Sequence, residues 1–394
     1  MRICRIYCAL SVKPKGFGMN LYELSRAQQR LGNDIYIING APYSKKITNL
    51  KYHNISFNSI PFFPSLPLIN YFIPFGIFSS FRLNQLIEKN MIDLIHTHDI
   101  DAVYSIKRNN KIPLIASFEV DKNIQLQRIG SNNLSFKTKI LEGTGFQFNY
   151  LIWRKASAII CISKQTMNRL INIYKIPDSK IYYIPNGINI NKFKVKMDPE
   201  NLKSYLNIVQ NYPIILFIGR IYILKGLKEL IVALAEIKKF YPRLLLIILG
   251  EIQDLSYFKE IQSLIKKKDL IENIKFIGYV PYSLIPLFYR VADIFILPSY
   301  SEGLPKVVLE AMASRLCVIT SDIEGNKDLI KNEFNGILVK PKNIPEISQN
   351  LLKVIEDKNL REKLAFNAWK TAQMYDWSNS AKKIQKVYES VLSR

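Results

Sequence analysis

The chain is predicted to fold as two doubly wound α/β domains in series, and three observations predict it. Its 394 residues exceed what one typical core organises. Short, β-branched apolar runs alternate with helical stretches along most of the length. The alternation breaks once, in a polar and charged stretch after residue 190, and then restarts.

In chain order, RICRIYCAL reads as the first strand, followed by a helix over Met19–Leu31 that Gly32 closes, then by the strand DIYIING. IDLIHTH, PLIASFEV, SAIICIS and KIYYIP are further strands, with helical stretches between most of them. NINKFKVKMDPENLKSYLN reads as the linker. Beyond it come IILFIGR, a helix over Lys225–Phe240, LLLIILGE, a helix over Leu255–Lys268, NIKFIGY and a helix over Ser283–Val291. DIFILP, a helix over Pro305–Arg315, CVITSD and GILVKP follow, and helices run from Pro345 to Arg394. Ligands of such parallel sheets bind beyond the carboxyl ends of the strands.

A hydrophobic content of 48% fits a globular protein with large cores. The net charge of +23 is heavier in the first half, where residues 1–190 carry 24 Lys and Arg against 10 Asp and Glu. Such a surface attracts anions: nucleic acid, an acidic membrane face or phosphorylated substrates. The cations are scattered, with Lys266–Lys268 the longest run, and no nucleic-acid-binding signature accompanies them, which disfavours nucleic acid. Cys4, Cys8, Cys161 and Cys317 form no CxxC pair and sit in apolar runs, as buried thiols in a reducing compartment do. The N-terminus has a strand pattern rather than that of a signal peptide, so the expected location is cytoplasmic.

Between Tyr52 and Phe81 there is no Lys, Arg, Asp or Glu, and aromatic residues are dense. Pro61, Pro64, Pro67 and Pro74 argue against a spanning helix. Two readings remain: a loop packed on its domain, or a face that touches lipid or a greasy acceptor, with Arg82 and Lys89 near anionic headgroups.

Three loops in the second half follow strand ends. In FIGRIYILKG, Gly219 permits close backbone approach, while Arg220 and Lys225 can clamp adjacent phosphates, one as a fork and one as a point charge. In LLIILGE, Gly250 again ends a strand. In SYSEGLPKVVLEAM, Glu302 lies on the loop after DIFILP, and Gly303, Leu304, Lys306 and Val307 lie at a helix start, whose N–H groups attract anions. Glu310 lies one to two turns further on. Two acids beside an anion site would repel a bare phosphate, so they suit hydroxyl groups. A nucleotide sugar offers a hydroxyl-rich ring on either side of its diphosphate.

EGLPKVVLE resembles the E-x7-E motif of the retaining glycosyltransferases of family 4, which have the GT-B fold. KGFGMNLYELSRAQQRLGNDIYI, IDLIHTHD, YIPNGINI, FIGRIYILKG, NIKFIGY, ADIFILPSYSEGLPKVVLEAMAS and NGILVKP resemble further landmarks of that family in its order. The resemblance implies two Rossmann-like domains facing across a cleft. An acceptor-side domain would span 1–190, a nucleotide-sugar donor domain 200–376, and a C-terminal helix at about 377–394 would pack back on the first. It implies that Arg220 and Lys225 hold the donor diphosphate, that Glu310 takes the ribose hydroxyls, and that Glu302 takes a hydroxyl of the transferred sugar. Gly16 and Gly18 would let a first-domain loop approach the donor, and His98 would face the sugar. The implied chemistry is retaining transfer, independent of metal or other cofactor, to a glycan or lipid-linked acceptor, in polysaccharide or glycoconjugate synthesis at the inner face of the membrane.

The chain departs from the family at three places. Glu119 stands where the family carries His after PLIASF, Arg315-Leu316-Cys317 replace a Gly-x-Pro, and Asn189 stands where Asp is frequent. Glu119 suits a changed donor or acceptor preference; it is also the one support for a non-catalytic partner protein of the same fold. A nucleotide-sugar epimerase shares the architecture too, but the E-x7-E and R-x4-K-G patterns favour transfer. His96, His98, Asp99 and Asp101 suggest a metal site, yet only one other histidine and no clustered thiols exist to complete it. Ser163 reads as a helix cap.

Overall fold

A computed structural model describes residues 1–7, 17–42, 51–52, 55–62, 79–98, 112–118, 150–194 and 199–393. The chain divides into two compact units, Met1–Gly187 with Trp377–Arg394, and Ile188–Asp376.

The first unit is built on β1 (Arg2–Tyr7), β2 (Asp34–Pro42), β3 (Lys51–Tyr52), β4 (Ile55–Phe62), β5 (Leu94–His98), β6 (Leu114–Phe118), β7 (Ala158–Cys161) and β8 (Ile181–Tyr183). They order as β3-β4-β2-β1-β5-β6-β7-β8, with β3 antiparallel to β4 and the other pairings parallel. Alternate residues of these strands feed two cores, as the period of two requires. Cys4, Ile6, Ile95, Ala116 and Ile159 pack on one face with Trp153 and Leu170. Ile3, Ile37, Leu94, Ile115 and Ile160 pack on the other with Leu21, Leu24 and residues of the C-terminal helix Trp377–Leu392, including Ile384 and Tyr388. Ser163 caps the helix Lys164–Asn172, its Oγ accepting from the Thr166 N–H at 3.2 Å.

Part of the charge-free stretch read as a loop is a strand: β4 pairs with β2 from Ser56 to Phe62. β3 covers only the first two residues of β4. Residues 63–78 of that stretch lie outside the described residues.

The second unit has six parallel strands, β9 (Ile214–Ile218), β10 (Leu245–Leu249), β11 (Ile274–Gly278), β12 (Ile294–Leu297), β13 (Cys317–Ser321) and β14 (Ile337–Val339), ordered β11-β10-β9-β12-β13-β14. β9, β10, β12 and β13 are buried at every residue, which is why they read as unbroken apolar runs. The order grows one way from β9 to β11 and the other way from β12 to β14. The carboxyl ends of β9 and β12 therefore flank a topological switch point, where open α/β sheets bind ligands. The start of the stretch read as linker is not one: Ile190 and Phe193 within it, like Ile188 just before it, are buried in this unit's core. Arg315, one of the departures noted above, adopts φ +61° with its guanidinium 4.3 Å from the centre of the Trp369 ring.

Candidate active site

The loops beyond β9, β10 and β12 are locked together by backbone contacts. The Gly219 N–H donates to Leu249 O at 2.9 Å, and a Cβ on Gly250 would sit 1.9 Å from Gly219 O. Gly226, at φ +67°, presses on β12's exit, where a Cβ would stand 2.1 Å from Pro298 O. The Tyr300 N–H donates to Leu224 O at 2.8 Å, tying the Ile223–Lys225 turn to the loop that carries Glu302. A further glycine, which sequence reasoning missed, supports that loop from below: a Cβ on Gly325 would meet Gly303 O at 2.3 Å and Glu302 O at 2.5 Å.

This scaffold brings two predicted residues into direct contact across the switch point. Lys225 Nζ donates to Glu302 Oε1 at 2.6 Å, with side chains only 13% and 12% exposed. An ammonium has three donors, so Lys225 retains the capacity to bind an anion while it bridges to the carboxylate. Arg220 is exposed, with its guanidinium 5.4 Å from the centre of the Tyr222 ring. Gly303 and Leu304 lead into the helix Lys306–Ala313, with Pro305 as its N-cap. The first helical bonds run from the Val308 and Leu309 N–H groups to Pro305 O, which leaves the Lys306 and Val307 amides ahead of the helical ladder.

Glu310 is not a surface charge; it is 3% exposed. Tyr282 Oη donates to its Oε1 at 3.0 Å, and Tyr289 Oη lies 3.1 Å from Oε2 and 2.9 Å from Val307 O. Burial pushes the Glu310 carboxyl up, while Lys306, the two tyrosine hydroxyls and Lys192 pull it down. The Nζ atoms of Lys306 and Lys192 lie 4.8 and 5.2 Å from the centre of the Tyr282 ring. Neither tyrosine was legible as a site residue. Tyr282 lies on the loop just ahead of the helix that carries Tyr289, and nothing in their spacing says where the hydroxyls point.

The first unit answers differently. Gly16 and Glu119 lie outside the described residues, as do Asp99 and Asp101. Gly18 is buried in the first turn of the helix Phe17–Gln29. His98, expected to face the sugar, is 2% exposed and buried in a polar cluster. Arg5, on β1, donates from Nη1 to His96 Nδ1 and to His98 Nε2, both at 3.1 Å, and from Nη2 to Gln28 Oε1. The His96 ring stacks on His98 at 4.5 Å, and its Nδ1 and Nε2 contact Tyr388 Oη at 2.6 Å and Ser117 Oγ at 2.8 Å. A guanidinium only donates, so both acceptor rings are neutral. Burial first, then neighbouring positive charge, holds both well below the usual imidazole range. The i, i+2 spacing that aligned the two rings on one face also put them on the face that the C-terminal helix covers. Among the described residues no group of three or more His, Cys, Asp or Glu is placed to hold a metal ion.

Residues 198–371 match the family described as Glycosyl transferases group 1, and residues 14–192 match Glycosyltransferase Family 4. A relative from Methanocaldococcus jannaschii, an uncharacterized glycosyltransferase, is 26% identical over 91% of both chains. The UDP-Gal:alpha-D-GlcNAc-diphosphoundecaprenol alpha-1,3-galactosyltransferase of Escherichia coli is 30% identical over 51% of this chain and 52% of its own. Sucrose-phosphate synthase from Thermosynechococcus elongatus has the same fold, with a TM-score of 0.84 over 100% of this chain and 99% of its own, at 19% identity. Two family matches in tandem, which together run from residue 14 to residue 371 on a GT-B fold, make the chain a glycosyltransferase of the group 1, family 4 type.

Proposed function

We propose that this enzyme moves a sugar, with retention of configuration, from a nucleotide sugar to a lipid-linked or glycan acceptor. The observation that carries the reading is the Lys225–Glu302 pair at the β9–β12 switch point, with Glu302 on the loop that leads into the Lys306–Ala313 helix. The donor's diphosphate would lie against Lys225, Arg220 and the Lys306 and Val307 amides. Glu302 would accept a hydrogen bond from the transferred sugar, and Glu310 from the ribose.

As the bond from the anomeric carbon to phosphate breaks, negative charge grows on the leaving oxygen. Fixed cations and amide dipoles already aimed there lower the barrier, because they need no reorganisation at the moment of reaction. The acceptor hydroxyl then attacks from the face the diphosphate is leaving, and its proton passes to the departing phosphate oxygen. No protein nucleophile is required, unlike the paired-acid glycosidases. The chain's own cations supply the charge that a metal would otherwise bring, so the reaction is proposed to need none.

The lipid-linked acceptor is supported by the name of the Escherichia coli relative and by the greasy Tyr52–Phe81 stretch. Among the described residues no helix is long and apolar enough to cross a membrane. The basic first half suits an anionic headgroup surface, and failure to sediment with anionic vesicles at low salt would count against that association. Incubation with a panel of UDP-, GDP- and ADP-sugars and polyprenyl-diphosphate-linked saccharides tests the reaction itself. One donor should give a retained glycosidic product with wild type, at least 100-fold more slowly with Glu302→Gln. An inverted product, or no turnover of any donor, refutes the proposal.

A further inference from the structure

This inference rests on the reading of Glu310 as the acceptor for the donor's ribose. A carboxylate that is 3% exposed needs more than its own helix to hold it, and two tyrosines from outside that helix meet it, one at each oxygen. Tyr282 lies on the loop after β11, and its ring is gripped by Phe193 edge-on at 6.5 Å and by the Lys306 and Lys192 ammonium groups. Tyr289 comes from the helix Ile285–Val291, is fully buried and packs against Phe193 and Phe295. Its hydroxyl has one hydrogen and reaches two acceptors, Glu310 Oε2 and Val307 O. It therefore ties the carboxylate to the first turn of the same helix, where the diphosphate site is placed.

We infer that Tyr282 and Tyr289 are positioning residues that fix the Glu310 carboxylate as an oriented acceptor for the ribose of the donor. Tyr282 donates to Oε1, and the Tyr289 hydroxyl, whose one hydrogen is shared between Val307 O and Oε2, lies against the other oxygen, so the rotation of the carboxylate is set before the nucleotide arrives while each oxygen keeps a lone pair for a ribose hydroxyl. The charged and titratable groups facing Glu310 are Lys306 on its own helix, Lys192 on the Ile190–Phe193 turn, Tyr282 and Tyr289. All four favour the ionised form against the pull of burial, and the ionised form is the better acceptor.

The test is Tyr282→Phe and Tyr289→Phe in the full chain, with Glu310→Gln beside them. Each tyrosine variant should raise KM for the nucleotide sugar about tenfold, the loss of one hydrogen bond to a charged group, with kcat within about twofold of wild type. The acid limb of kcat/KM should move to higher pH, since removing a hydroxyl donor lets the Glu310 carboxyl rise further. Inhibition by UDP, or by GDP or ADP if that is the base used, should weaken about tenfold while inhibition by inorganic pyrophosphate is unchanged. Equal losses for nucleotide and pyrophosphate, or unchanged KM and acid limb, would overturn the inference. If Glu310→Gln leaves nucleotide inhibition intact, the ribose assignment itself fails. If that variant is impaired and both tyrosine variants behave as wild type, only the positioning role fails. Tyr282 is the less buried of the two, so its variant keeps the test open should Tyr289→Phe fold poorly.

Discussion

Replacing Lys225 by Met removes one half of an ion pair that the fold holds at 2.6 Å with little solvent around either side chain. The Glu302 carboxylate, 12% exposed, is then left without its cation. Breaking a buried pair from one side costs roughly 3–5 kcal/mol, and the residual exposure here places the expected loss near the lower end, at about 3 kcal/mol. Glu302→Gln keeps an acceptor for the ammonium and should cost about 1.5 kcal/mol. The double variant carries no unpaired charge, so its cost should fall to about 1 kcal/mol, a coupling of roughly 3.5 kcal/mol between the two sites. In thermal unfolding, at about 3 °C per kcal/mol for a unit of this size, Lys225→Met should melt about 9 °C low and the double variant about 3 °C low. Activity should not follow stability: all three variants should lose at least 100-fold in kcat, because the same groups are proposed to act on the donor. Losses of stability that add within about 0.5 kcal/mol would refute the pair as a coupled unit. A double variant that recovers turnover along with its melting temperature would refute its part in the chemistry.

Gly325→Ala should displace the Glu302–Gly303 backbone by about 1 Å, since its Cβ would otherwise stand 2.3 and 2.5 Å from two carbonyl oxygens, and a misplacement of that size costs on the order of 100-fold in kcat. Gly32→Ala meets nothing within 4 Å at φ +84°, so it should cost about 1 kcal/mol of stability and leave kcat unchanged; similar kinetics in the two variants would contradict the loop's support by Gly325. Acid should destabilise the first unit through its histidines. With folded-state values far below the ordinary one, His96 and His98 take up protons only when unfolded, so their contribution is complete above about pH 6.5 and is lost as pH falls below it. The slope approaches about 1.4 kcal/mol per pH unit for each ring, and His98→Asn should remove roughly half of it, as measured by urea unfolding between pH 7 and 5. A slope unaffected by that substitution would contradict the buried, neutral ring.

In the second unit β9, β10, β12 and β13 were legible because each is a short apolar run buried on both faces, and DIFILP followed by Glu302 located the end of β12 directly. What was not legible depends on partners remote in sequence. Lys225 and Glu302 are separated by 77 residues, and only the adjacency of β9 and β12 brings them together. Tyr282, Tyr289 and Gly325 act through where a hydroxyl points or where a side chain is missing, and neither leaves a mark in hydrophobic periodicity. The burial of His98 was hidden for a related reason. A histidine at a strand's carboxyl end looks available to a ligand, yet Arg5 and the covering helix claim it. The stretch read as linker is polar overall, but Ile190 and Phe193 within it each find the second core, which a compositional average conceals.

The most direct measurement is equilibrium binding of UDP, GDP and ADP to the full chain by calorimetry, repeated with Arg220→Ala and Lys225→Ala. One of the three nucleotides should bind to wild type, and each variant should bind it roughly 10- to 100-fold more weakly, as expected when a charged hydrogen bond to phosphate is removed. Tight binding that neither substitution weakens would place the diphosphate elsewhere and contradict the site built here around Lys225 and Glu302.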